Sequence, residues 1–168
     1  MSEHTSWSSR FFSNAIRAAL TACGHEADVF QPVYGFADAG EALIKGGIDK
    51  ITFIGSPGVG KRVMAAASEN LVPTVLELGG KDPAIICDDC DFGQVVNLTM
   101  RGTFQNCGQN CIGLERMIVH DAVYERFVSS IHEQMCKLRQ GAPLEELVDQ
   151  GSIRLNSEVC VATMFEFC

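Results

Sequence analysis

The chain has 168 residues, 46% hydrophobic and 20% charged, with 16 glycines, a makeup that fits one ordinary folded domain and excludes a disordered chain. Its 13 basic and 21 acidic residues leave a net charge of −8, with no basic stripe for a nucleic-acid partner. No apolar run reaches the roughly 18 residues of a membrane span, no signal-peptide pattern opens the chain, and eight cysteines in a core-rich chain of this length suit a reducing compartment, cytoplasmic or otherwise intracellular, better than a disulfide framework.

In chain order, Trp7, Phe11, Ala15, Ala18 and Ala22 recur at helical spacing, which predicts a helix over Ser6–Cys23 stopped by Gly24. Val29–Tyr34 is a short strand candidate in which Pro32 argues against a central place in a sheet. Asp38 is the expected N-cap of a helix over Ala39–Lys45, ended by Gly46-Gly47. Ile51–Ile54 is a buried-strand pattern running into the turn Gly55-Ser56-Pro57-Gly58, with a helix expected over Val59–Asn70. Strands follow at Thr74–Leu78 and Ala84–Cys87. Asp91 then caps a helix reaching about Gln105, Arg116–His120 is a strand, and Ala122–Leu138 a long helix. This alternation predicts an α/β class with a doubly wound, Rossmann-like, largely parallel sheet. From Gly141 to Cys168 the rhythm is lost, and the chain reads as cut rather than finished.

Gly55 to Lys61 satisfies G-x-x-x-x-G-K between a strand and a helix, where free backbone N–H groups attract phosphate oxygens. Arg62 stands where a P-loop triphosphatase needs a metal-binding hydroxyl. A dinucleotide pyrophosphate needs no such metal and suits the turn better. Cys87, Cys90, Cys107 and Cys111 have the spacing of a four-cysteine zinc site, although a whole apolar helix separates the pairs. A structural zinc module therefore stands as a rival reading.

Glu77 lies in Val75-Leu76-Glu77-Leu78-Gly79-Gly80-Lys81, at the end of an apolar run and before two glycines that permit close backbone approach. Cys111 follows thirty-four positions later, reached through Gly108, Gln109 and Asn110. The bland alternatives are an exposed strand-end carboxylate and an inert buried thiol. A thiol at a polar turn and one carboxylate to activate it, or the water that releases its product, together suggest covalent catalysis.

Leu76-Glu77-Leu78-Gly79-Gly80-Lys81-Asp82-Pro83 and Phe104-x-x-x-Gly108-Gln109-Asn110-Cys111-Ile112-Gly113-x-Glu115 resemble, in wording and spacing, the two active-site signatures of the NAD(P)-dependent aldehyde dehydrogenase superfamily. Phe53-Ile54-Gly55-Ser56-Pro57-x-Val59-Gly60 is similar to that family's cofactor turn, and Ser2-Glu3 to the end of its K-P-S-E segment. The resemblance runs from about Ser2 to Gly141. It implies oxidation of an aldehyde to a carboxylic acid, with Cys111 as nucleophile forming a thiohemiacetal and then a thioester, and Glu77 as general base for hydrolysis. It places Gly55, Ser56, Val59 and Leu78 at the cofactor, and Glu3 at the adenosine ribose, where a carboxylate favours NAD over NADP. It implies a partial NAD-binding domain over 1–78, the start of the catalytic domain over 79–141, and an irregular tail over 142–168.

The family's cofactor lysine, its second oxyanion donor, its second acidic cofactor residue and the strand arm of its homo-oligomers have no counterpart in this sequence. The chain is similar to a middle third of such an enzyme. A catalytically inactive, truncated form of it is the alternative to an active one.

Overall fold

The computed structural model describes residues 3–153. The chain divides into two compact units, Met1–Leu78 and Gly79–Cys168.

In the first unit a short 3-10 turn, Glu3–Thr5, leads into α1 (Ser6–Ala22), which ends where Gly24 takes φ +81°. α1 packs against a second 3-10 turn at Ala27–Val29. The helix forms where the spacing of Trp7, Phe11 and the alanines places it, but within this unit that apolar stripe is uncovered, Trp7 being 85% exposed. The expected strand at Val29–Tyr34 does not form. Val29 closes the 3-10 turn, and Pro32, which has no N–H for a ladder, lies in irregular chain. α2 runs Ala37–Lys45 with Phe36 as N-cap, so Asp38 sits in its first turn, where a carboxylate still suits the helix dipole, rather than at the cap.

β1 (Ile51–Gly55), α3 (Pro57–Ser68) and β2 (Thr74–Leu78) form one β-α-β unit with the strands parallel, Ile51 opposite Thr74 and Gly55 opposite Leu78. α3 starts two residues before Val59, because Pro57 brings its fixed φ to the first turn and Ser56 caps it. Ile44, Ile51 and Ala67 make the core, with Ile48, Phe53, Val63, Ala66 and Val72 packed on them.

The second unit repeats the plan. β3 (Asp82–Ile86), α4 (Phe92–Phe104) and β4 (Leu114–Val119) give a second parallel pair, followed by α5 (Asp121–Met135). Asp91 caps α4 as expected, its carboxylate accepting from Gln94 N at 3.0 Å. Ile86, Val96 and Phe127 form the core, ringed by Phe92, Val95, Met117, Val119, Val123 and Ile131. Two parallel strand pairs, each joined by a helix, are the pieces of a doubly wound α/β fold.

Candidate active site

In the first unit the fold gathers five of the singled-out residues at one end of the β1–β2 pair. Gly55 ends β1 directly opposite Leu78, and Ile54 is opposite Glu77. Ser56 follows as cap of α3, its Oγ accepting from Val59 N at 3.4 Å while Gly60 N donates to Ser56 O at 2.9 Å. Gly60 is buried because α3 leans on β2 there. A Cβ at position 60 would stand 3.0 Å from Leu78 Cδ2. Around Gly58 there is open space instead. Glu77 alternates outward along β2 and is exposed. Glu3 stands on the turn ahead of α1.

In the second unit the loop after α4 carries Cys111. Phe104 is buried, and the chain then takes three consecutive left-handed residues, Asn106 (φ +57°), Cys107 (φ +58°) and Gly108 (φ +71°). For Asn106 and Cys107 this conformation is unfavourable and has to be held by neighbours. Asn106 Nδ2 donates to Gln109 O at 3.1 Å, Gln109 Nε2 returns to Asn106 O at 3.0 Å, and Asn110 Nδ2 donates to Gln105 O at 3.0 Å. The three polar side chains thus serve the backbone of their own loop. Cys107 points inward, its thiol donating to Gly151 O at 3.4 Å, and Cys111 is exposed.

The segment after the two glycines is tied to the segment after Cys111. Lys81 Nζ pairs with the Glu115 carboxylate, and Arg116 Nε donates to Lys81 O at 2.8 Å. Asp82 pairs with Leu114 as β3 and β4 begin, so the two motifs share one strand-start.

No three His, Cys, Asp or Glu side chains stand close enough for a metal among the described residues. The zinc rival is thereby corrected. Cys107 is buried and bonded to Gly151 O, while Cys87 and Cys111 are exposed. Spacing suggested a cluster that the intervening helix α4 does not assemble.

The model of the aldehyde dehydrogenase family matches residues 1–160. The chain belongs to the aldehyde dehydrogenase family. The match continues past Gly141, where the recognisable motifs stop, so the family resemblance extends into the arrhythmic segment. An aldehyde dehydrogenase-like protein of Schizosaccharomyces pombe is 38% identical over 157 residues, covering 93% of this chain and 30% of that protein. A solved structure from Anabaena variabilis, described as an aldehyde dehydrogenase, superposes with a TM-score of 0.75 at 30% identity, over 84% of this chain and 30% of that one. A betaine aldehyde dehydrogenase of Staphylococcus aureus, solved with NAD+, gives a TM-score of 0.69 at 27% identity over 74% of this chain and 25% of its own. The chain therefore spans less than a third of the length of these relatives.

What sequence reasoning missed is the support of the loop. Gln150 is buried and donates from Nε2 to Phe104 O at 2.8 Å, forty-six residues away. Its only sequence signal is an amide beside Asp149 and Gly151 in a stretch without period.

Proposed function

We propose that the chain carries the chemistry of NAD(P)-dependent aldehyde oxidation, with Cys111 as the acyl-accepting thiol and Glu77 as the base that activates the hydrolytic water. The observation that carries this reading is the presentation of Cys111. An exposed thiol ends a loop of left-handed residues that its own amide side chains hold in place.

The β1–α3 turn fits a dinucleotide pyrophosphate. Gly55 lies at the carboxyl end of a parallel strand, Ser56 caps the helix, and open space surrounds Gly58, so the Gly58 N–H can face a phosphate. Gly55, Ser56, Val59 and Leu78 would hold the cofactor, with Glu3 at the adenosine ribose, favouring NAD while permitting NADP. Bound NAD(P) supplies a hydride acceptor.

The chain's own steps follow from thiol chemistry. Cys111, ionised, adds its sulfur to the aldehyde carbon, forming a C–S bond as the carbonyl pair moves to oxygen. The Cys111 N–H, as a backbone donor at the site, steadies that oxyanion. Loss of the aldehyde hydrogen as hydride leaves a thioester on Cys111. Glu77 takes a proton from water, whose oxygen attacks the thioester carbon and releases the carboxylic acid with the thiolate as leaving group.

The alternative reading is a chain that keeps the nucleophile without a working cofactor site. Calorimetric titration of the 168-residue chain with NAD and with NADP separates the two. Saturable binding, tighter for NAD, is the expected result, and absence of heat with either nucleotide leaves the second reading.

A further inference from the structure

The loop that presents Cys111 contains two non-glycine residues in the left-handed region, and the hydrogen bonds within it are short-range. Local bonds of this kind are also available to alternative turns. Among the described residues, three hydrogen bonds join it and the helix end before it to one short segment far along the chain. Gln150 Nε2 donates to Phe104 O at 2.8 Å, Cys107 Sγ to Gly151 O at 3.4 Å, and Gln109 Nε2 reaches Ser152 O at 3.5 Å. The first is the shortest, and it lies in the interior: Gln150 is 6% exposed and Phe104 3%.

That segment is itself pinned. Arg139, just beyond α5, forks onto Asp149, with Nε on Oδ2 at 2.8 Å and Nη2 on Oδ1 at 3.1 Å, while its backbone N donates to Oδ2 at 3.1 Å. Asp149 N and Gln150 N donate to Arg139 O, and Gly141 N donates to Gln150 O at 3.1 Å. A guanidinium fork of this geometry fixes direction as well as distance.

Gln150 is a costly residue for its position. Its Oε1 and the hydroxyl of neighbouring Thr103 are buried with no hydrogen-bond partner among the described residues. An apolar side chain of the same length would avoid burying Oε1 unsatisfied but would take this donor away from the Phe104 carbonyl. The amide donor has one evident task, to hold the Phe104 carbonyl where the helix ends and the left-handed loop begins. A reversed amide would set oxygen against oxygen, so the acceptor dictates its orientation.

We propose that Gln150 is a positioning residue for Cys111: the Asp149–Ser152 strap, pinned to Arg139, holds the left-handed loop that presents the thiol. The proposal rests on the reading of Cys111 as nucleophile. A displacement of about 1 Å at a reacting atom costs rate out of proportion to the contact that is lost.

The test uses the 168-residue chain, its Gln150→Met variant, which keeps length but removes the donor, and Arg139→Gln, which changes only an exposed side chain and covers failure of the first to fold. Two readouts are taken: amide hydrogen exchange over residues 105–111, and the pH profile of alkylation at Cys111 and Cys87 resolved by peptide mass spectrometry. The expected result is loop exchange faster by about three- to tenfold, the factor that one lost hydrogen bond represents, with β4 unchanged and the Cys111 profile displaced while that of Cys87 stays. Loop exchange at the parent level, or equal displacement at both cysteines, overturns the proposal. Selective labelling of parent Cys111 by an aldehyde-mimicking electrophile, with profiles unmoved in the variants, overturns positioning alone. Labelling of parent Cys111 no faster than Cys87 overturns the nucleophile reading and the proposal with it.

Discussion

Gly102 of α4 stands directly against Leu114 at the start of β4, so closely that a Cβ at position 102 would come 2.7 Å from Leu114 Cδ1 and 2.8 Å from its Cγ. Leu114 belongs to the same strand-start that Lys81 and Glu115 tie together, so this contact fixes how the Cys111 loop leaves α4. Gly102→Ala gains helix propensity of about 1 kcal/mol but must push the Leu114 branch aside, and overpacking of a core contact costs about 1–3 kcal/mol. A net loss of stability is expected, visible as a lower urea midpoint with unchanged slope. A higher midpoint would show that Leu114 yields freely.

Arg139 and Asp149 give the second unit a pH dependence. The Arg139 guanidinium and backbone N–H hold the Asp149 carboxyl down, from the usual 3.8 to about 2. A folded-state value below the unfolded one means a contribution fully present above about 4 and lost as pH falls through about 2. The stability difference between the chain and its Asp149→Asn variant should therefore be constant from pH 7 to about 4 and vanish near pH 2. A difference that disappears already at pH 5 would contradict the pairing.

Two of the side-chain caps differ in quality. Asp91 accepts from Gln94 N at 3.0 Å, whereas Ser56 accepts from Val59 N at 3.4 Å. Asp91→Ala should cost about 1 kcal/mol and Ser56→Ala less, by urea unfolding. Under the proposed function Ser56→Ala also weakens NAD binding, and Asp91→Ala does not, because Asp91 lies on no cofactor element. Equal loss of NAD affinity in both variants would remove Ser56 from the cofactor turn.

Glu77→Gln separates the two half-reactions. It leaves Cys111 free to be acylated and removes the base for hydrolysis, a role that contributes about 10²- to 10⁴-fold. An acyl adduct that forms at the parent rate and persists is the expected outcome, followed by mass spectrometry over time. Turnover of the adduct at the parent rate assigns the base elsewhere.

Much of this architecture was legible because the periodic signals are local. Ile51–Ile54, Thr74–Leu78 and Asp91 followed by Val95 and Val96 announced β1, β2 and α4 through burial patterns and a cap that need no distant partner. Errors came where a local rule was outweighed. Pro32, which has no N–H for a ladder, sits in a stretch that forms irregular chain, and helix α2 began at Ala37, one residue ahead of the expected capping carboxylate. At the site, the motif around Cys111 could be recognised, but its left-handed backbone could not, since Asn106 signals φ above zero more weakly than glycine and Cys107 does not signal it. Gln150 was invisible for a different reason. Its partner is forty-six residues away, and no periodicity connects them.

The central claim is that Cys111 accepts the acyl group, and acylation by an activated ester tests it most directly, because that half-reaction needs neither cofactor nor the rest of a longer protein. Treatment with p-nitrophenyl acetate followed by peptide mass spectrometry should place a single acetyl group on Cys111, ahead of Cys23, Cys87 and Cys136, which are exposed too, and Cys111→Ala should abolish it. Acetylation spread evenly over the exposed cysteines, or undiminished in Cys111→Ala, would contradict the account.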